Sequence, residues 1–300
     1  MKLLITPKTK AQADPFIFED DGKFYIYATA GKGVDAYYSN DLFGEWEYKG
    51  LCTDYPEGRN FWAPSVIKLD GVYYMYASCQ VGDNTQLMKV FTATSPLGPF
   101  KYVKTFYDYF SIDSHVVQNE NGLFLWFAKN NTEPERKGTR IYIDRLITPT
   151  EVENNPREMI VPTFDEEIFK PNCTPERKWH TIEGPTYFYE NGYHYVMYSG
   201  GCYQDDTYHV GYCYLKSDEQ DLTKLDLIKK TNDGKFAPVL IKNEFEEGTG
   251  HHSVIKRNGE YYAIYHARDY GVNRDERTAR ICRLIVKDGL ITAERYPDKL

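Results

Sequence analysis

The sequence predicts an all-β chain folded as a five-bladed β-propeller, and three observations carry that reading. One hairpin pattern recurs along the chain. Its turn glycines, Gly22, Gly71, Gly122, Gly192 and Gly259, are 49, 51, 70 and 67 residues apart. No window shows the periodicity of an amphipathic helix. A blade of four strands needs about 50 residues of chain, so five blades fill 300 residues.

Taken in order, the copies read Asp14-PFIFEDD-Gly22-KFYIYAT, Ala63-PSVIKLD-Gly71-VYYMYAS and Asp113-SHVVQNEN-Gly122-LFLWFAK. The last two are Glu183-GPTYFYEN-Gly192-YHYVMYSG and His251-HSVIKRN-Gly259-EYYAIYHA. In each, two alternating apolar runs flank a glycine-bearing turn, which is the signature of a β-hairpin. Further strands are expected between them at Val34-DAYYS, Met88-KVFTATS, Arg140-IYIDRLI and His209-VGYCYL. The two longer intervals imply insertions, chiefly the polar stretch from Asn130 to Lys178. The shared register of the copies disfavours a β-sandwich. No Trp-Asp repeat end and no paired-glycine kelch signature is found. Residues 1–300 are read as one propeller domain.

Composition narrows the function. The chain has 27 Tyr, 16 Phe and 4 Trp, with a mean hydropathy of −0.60. So many rings offset the entropy of ordering, which excludes disorder. No run approaches the ~18 apolar residues of a membrane-spanning helix. With 36 Lys+Arg against 44 Asp+Glu the net charge is −8, and no basic cluster stands out, so nucleic acid and anionic lipid are poor partners. Cys52, Cys79, Cys173, Cys202, Cys213 and Cys282 lack CxxC spacing and are expected to be free, buried thiols. The start, Met1-KLLIT-Pro7, is too short in apolar residues for a signal peptide, and a reducing cytoplasm is expected.

Innermost propeller strands line a central channel, so the residues at their mouths converge on one axis. Those positions read Asp14, Ala63 (after Trp62), Asp113, Glu183 and His251. Three are carboxylates standing before apolar and aromatic strands. Mutual repulsion and desolvation push at least one of them to hold a proton. A protonated carboxyl beside an ionised one is the equipment of glycoside hydrolysis.

The set Ala13-Asp14-Pro15, Phe61-Trp62-Ala63-Pro64-Ser65-Val66, Ile112-Asp113, Glu183-Gly184-Pro185 and Gly250-His251-His252-Ser253 resembles glycoside hydrolase family 43. The resemblance spans residues 13 to about 285. It implies a five-bladed propeller enzyme of the α-L-arabinofuranosidase, β-xylosidase or endo-arabinanase kind. It implies Asp14 as general base, Glu183 as general acid, and Asp113 as the carboxylate that raises and orients the acid. It also implies inversion, with acid and base roughly 6.5–9.5 Å apart.

Trp62 resembles the ring that shapes the sugar pocket, and Phe61 and Trp126 are further candidates for it. Arg277, with Arg280 as runner-up, resembles the arginine set against the sugar or the acid. His251 resembles a channel histidine that binds calcium or another cation through water, although His252 replaces the asparagine often found next. No cofactor is implied for the chemistry. His115 is a candidate to support Asp113.

The segments Tyr187-Phe-Tyr and Tyr198-SGGCYQD-Asp206 are more similar to exo-acting arabinofuranosidases than to xylosidases. The expected substrate is an oligosaccharide losing terminal α-L-arabinofuranose. Exo-β-xylosidase is the alternative, and a carbohydrate-binding propeller without catalysis belongs to a different class. A fructan-acting propeller is disfavoured, because its Asn-Asp-Pro start is Ala13-Asp14-Pro15 here. Exposed aromatics on insertion loops leave room for a homo-oligomer that caps the pocket.

Overall fold

The computed structural model describes residues 1–7, 11–169, 174, 178–272 and 276–295. Five sheets, antiparallel but for a parallel edge strand in the first two, follow one another around a central axis, as the repeat predicts. Their innermost strands are Phe16–Asp20, Gly58–Leu69, Ser111–Asn119, Ile182–Glu190 and Glu246–Arg257. Each turns into a second strand, namely Lys23–Thr29, Val72–Val81, Gly122–Asn131, Tyr193–Gly200 and Glu260–Asp269. The strands expected between the hairpins form the third layer: Val34–Ser39, Leu87–Ala93, Gly138–Thr148 and His209–Lys216, joined by Thr278–Lys287 in blade five.

Four of the five inner hairpins close through two-residue turns such as Asp21-Gly22 and Asn191-Gly192, both residues at positive φ. That geometry matches the right-handed twist of the strands and suits Asp/Asn followed by Gly. In blade three the register slips by one. Asn119 pairs with Gly122, so Glu120-Asn121 is the turn and Gly122 opens the next strand.

The aromatic excess packs between blades. Tyr25 and Tyr27 of blade one share a core with Phe61, Met75 and Phe91 of blade two. Trp126 of blade three stacks on Tyr187 of blade four at 5.9 Å. Tyr195 and Tyr212 meet Tyr261 and Tyr265 across the next interface. Each ring so buried contributes about 1.5–3 kcal/mol. The ring of blades closes through residues 1–6. Ile281 N–H donates to Met1 O at 2.8 Å and Leu3 N–H to Ala279 O at 3.0 Å. Leu4–Thr6 then runs parallel to Glu45–Leu51 of blade one. Cys52, Cys79, Cys202, Cys213 and Cys282 are free and buried, and Cys173 lies outside the described residues.

At the mouth of each inner strand one residue takes the left-handed conformation: Asp14 (φ 54°), Ala63 (44°), Asp113 (61°), Gly184 (60°) and His251 (45°). In blades two to five, pairing with the second strand skips across it. This corrects one expectation. The blade-four residue in register with Asp14 and Asp113 is Gly184. Glu183 stands one step earlier, level with Trp62, Ile112 and Gly250.

The insertion in blade three docks where Gly138 meets His180. Gly138 has φ 148°, and a Cβ there would overlap the His180 carbonyl oxygen. Gly138→Ala is therefore expected to cost about 1–3 kcal/mol through strain in both backbones. Chemical denaturation of the two proteins would read this as a lower unfolding midpoint.

Candidate active site

The mouth of the channel is a small pocket with two tiers. Asp14, Asp113 and His251 come from the left-handed positions, and Trp62, Ile112 and Glu183 from the residues just before them. Thr29, Tyr203, Tyr208 and Arg277 complete a cavity of about 150 Å³. Below it the channel narrows between Pro15, Pro64, Ser114, Pro185 and His252 to about 10 Å³, room for one water.

The left-handed positions are held by the neighbouring blade. Level with one another at the end of the second strands stand Thr29, Ser78, Ala128, Ser199 and His266. Three of them accept the N–H of a left-handed residue in the next blade. Thr29 Oγ1 accepts from Ala63 at 2.9 Å, Ser199 Oγ from His251 at 2.7 Å, and His266 Nδ1 from Asp14 at 3.1 Å. Ala128 has no acceptor, and there Gly184 N–H donates to Asp113 Oδ2 at 3.0 Å.

Asp14 is only 12% exposed. Burial alone would raise its pKa, but its neighbours outweigh that and hold it well below the usual carboxylate range. Thr29 donates its hydroxyl to Oδ2. His251 Nδ1, His266 Nδ1 and Arg277 Nη1 lie 3.4, 3.3 and 3.5 Å from Oδ1. Burial also lowers both histidines, His266 to about 4, so at neutral pH Arg277 is the lasting positive charge. Arg277 is itself braced over the Tyr203 ring at 4.8 Å.

Asp113 and Glu183 shift the other way. Burial raises Asp113 well above its ordinary value, and the charges of Glu183 and Asp14 add to it. Burial raises Glu183 to about 7, while a hydrogen bond from Tyr208 opposes the rise. The two carboxyls titrate as a pair that keeps a proton to near neutrality. Both line the cavity, but Asp113 is buried at 5% exposure with one oxygen committed to Gly184, and Glu183 is the more exposed of the two.

The other candidates separate. Trp62 is 38% exposed and lines the pocket, as do Arg277 and His251. Phe61 does not: it is fully buried against Phe91, because its position in the strand alternates away from Trp62. Trp126 is likewise core. Arg280 is buried and paired with Glu246 at 3.1 Å and Asp269 at 2.5 Å. His115 Nε2 meets Tyr187 O at 3.3 Å beneath the pocket.

Asp113, Glu183 and His251 each bring one ligand atom within 4.8 Å of the others. Calcium takes six to eight oxygens. Here His251 Nδ1 lies against Asp14 and Asp113, and a cation on Glu183 would displace its proton. The donor set suits proton chemistry better than a resident calcium.

Thr29, His266, Tyr203 and Tyr208 were not singled out from sequence. Aligning the repeats by their second strands places Thr29, Ser78, Ser199 and His266 in one polar column of otherwise apolar hairpins. Tyr203 and Tyr208 lie outside the repeat and carry no comparable signal.

An ionised carboxylate facing a proton-holding carboxyl pair, in a small aromatic-walled pocket at a propeller axis, defines a glycoside hydrolase. The model for glycosyl hydrolases family 43 matches residues 8–291, and the chain belongs to that family. It is 25% identical to an extracellular exo-α-(1→5)-L-arabinofuranosidase of Streptomyces avermitilis, over 88% of this chain and 56% of that protein. It is 22% identical to a probable arabinan endo-1,5-α-L-arabinosidase C of Aspergillus clavatus, over 87% and 84%. The crystal structure of a thermostable family-43 glycoside hydrolase superposes with a TM-score of 0.84 at 27% identity, covering 99% and 97% of the two chains. An α-L-arabinofuranosidase from Lactobacillus brevis shares the fold, with a TM-score of 0.79 at 20% identity over 97% and 95%. The protein is thus a family 43 glycoside hydrolase.

Thr29→Val keeps the shape of the side chain but strips a donor from Asp14 and an acceptor from Ala63 N–H. The expected cost is about 1–3 kcal/mol of folding stability. Equilibrium unfolding in urea measures it, and a variant as stable as the parent would show that the bridge carries no weight.

Proposed function

We propose that the enzyme releases single α-L-arabinofuranose units from the ends of arabino-oligosaccharides or arabinose-substituted xylo-oligosaccharides, with inversion. The observation that carries the reading is the pocket itself. At about 150 Å³ it is well below the roughly 300–1,000 Å³ of drug-sized sites, and it suits one sugar ring rather than a threaded chain. The exo-acting Streptomyces relative supports the same choice, whereas the Aspergillus relative is named for endo action.

In the proposed reaction a water attacks the anomeric carbon and gives its proton to Asp14. As the glycosidic C–O bond breaks, Glu183 passes its proton to the leaving oxygen. Asp14 ends protonated and Glu183 ionised, and exchange with solvent resets both. Arg277 and Trp62 hold the sugar, one by hydrogen bonds to hydroxyls and the other against its C–H face. No step runs through a metal or cofactor. The free buried thiols among the described residues support a reducing compartment for the protein.

Exo-β-xylosidase action is the second reading, favoured by a 25% identical xylosidase/arabinosidase of Bacteroides ovatus matched over 85% of both chains. Product analysis on linear arabino- and xylo-oligosaccharides separates the cases. Arabinose alone, released with inverted configuration at the first turnover, is expected. Oligomeric products would overturn exo action, and faster hydrolysis of xylosides would overturn the sugar.

The pH profile follows from the two carboxyl environments. Asp14 must be ionised to act, and its lowered pKa keeps it so into acid. Glu183 must be protonated, and its raised pKa near 7 means the proton is lost above that point. kcat/KM is therefore expected to hold through mildly acid pH and to fall as pH rises through about 7.

Glu183→Gln should lower turnover of oligosaccharides about 10²–10⁴-fold while sparing glycosides of 2,4-dinitrophenol, whose departure needs no proton. Full activity of that variant on oligosaccharides would remove Glu183 from the acid role.

A further inference from the structure

Three of the five blades place a side chain in the upper tier of the pocket: Trp62, Ile112 and Glu183. Blade five has Gly250 at that level and contributes none. The vacancy is filled by Tyr208, which precedes the third strand of blade four. A Cβ at residue 250 would overlap the Tyr208 ring, whose Cζ lies 3.0 Å from where it would stand. On another side the Tyr208 ring lies parallel to His266, with centroids 5.5 Å apart and planes 9° apart. The ring is thus clasped by blade five, and its hydroxyl lies 2.6 Å from Glu183 Oε1.

We propose that Tyr208 is the positioning residue of the general acid: it occupies Oε1 of Glu183, so that the transferable proton resides on Oε2. The assignment rests on Glu183 acting as the acid. A buried phenol beside three carboxyls does not ionise. Burial raises Tyr208 well above its ordinary pKa, and the charge of Glu183 adds to the rise, so the phenol keeps its hydrogen and donates it to Glu183 Oε1. The carboxyl oxygen that accepts this bond is the poorer site for the proton, because two hydrogens cannot share one contact. The donation also stabilises the anion left after proton transfer, against the burial that disfavours it. Tyr208 therefore orients the acid and eases release of its proton. His266 stacks on Tyr208 and accepts from the Asp14 backbone, so it lies beside the support of the acid and against the base.

Tyr208→Phe keeps the clasped ring and removes only the hydroxyl. The test compares kcat/KM against pH for wild type, Tyr208→Phe, Gly250→Ala and Glu183→Gln. The substrates are phenyl and 2,4-dinitrophenyl glycosides of whichever pentose the enzyme turns over. For Tyr208→Phe the alkaline limb should move up by about one pH unit, since the anion has lost a donor. Its rate on the phenyl glycoside should fall about tenfold, with little change on the dinitrophenyl glycoside.

Gly250→Ala, which drives the ring away, should show the same displaced limb. Thermal unfolding confirms that each variant is folded at the assay temperature. An unmoved limb in the folded variants, or an equal loss on both substrates, overturns the assignment and leaves Tyr208 a packing residue. The underlying reading fails separately: if Glu183→Gln hydrolyses the phenyl glycoside like wild type, Glu183 is not the acid.

Discussion

The structure turns on a backbone conformation that the chain adopts five times against its own preference. A non-glycine residue in the left-handed region costs about 1 kcal/mol or more, and four of the five mouth positions are not glycine. At four of the five positions the neighbouring blade takes up the exposed N–H, through Thr29, Ser199, His266 or the Asp113 carboxylate. Fold and site are therefore inseparable. The contacts that join blade to blade at the axis are the ones that aim Asp14, Asp113 and His251 at a common point. Strain at the mouth is compensated by aromatic packing further out, where rings of adjacent sheets bury one another.

The same few ångströms sort the carboxyls into opposite states. Asp14, Asp113 and Glu183 are all removed from bulk water, and burial pushes every one of them toward protonation. Asp14 has the Arg277 guanidinium 3.5 Å from Oδ1 and accepts the Thr29 hydroxyl on Oδ2. Asp113 accepts one backbone N–H, from Gly184, and Glu183 one phenol hydroxyl, from Tyr208. A site with one fixed positive charge and three carboxyls keeps one carboxylate ionised and leaves its neighbours to share a proton. The asymmetry comes from Arg277, a residue of the last hairpin, reaching across the closure to blade one.

Much of this was legible in the sequence because the fold is a repeat. Alternation, turn glycines and spacing are local signals, and five copies reinforce one another. The three carboxylates were visible as polar residues ahead of apolar strands. What the repeat could not show was a one-residue offset. Glu183 and Gly184 are adjacent, and either fits the column until pairing across the bulge assigns Gly184 to the left-handed place. Phe61 and Trp62 pose the same problem, since neighbours in a strand face opposite ways and only register says which one faces the channel. Arg277 and Arg280 are separated by burial, since the latter is spent on Glu246 and Asp269. Tyr208 was out of reach for a different reason. It fills a gap left by a glycine in another blade, and no local pattern reports a side chain that is missing.

The stitching of Met1 and Leu3 to blade five sets the order in which the molecule can be finished. Those bonds join residues 280 apart in sequence at their widest. Closing a loop of that length costs on the order of 5 kcal/mol in chain entropy before any contact is returned. On a ribosome the first strands emerge long before their last partners exist, and they wait with an unpaired edge. Completion of the ring is thus a late event in the life of each chain, and until it occurs Asp14 lacks both the His266 acceptor for its backbone and the charge of Arg277. An unfinished propeller holds Asp14 through Thr29 alone, and the final blade brings the charge that sets it apart from Asp113 and Glu183.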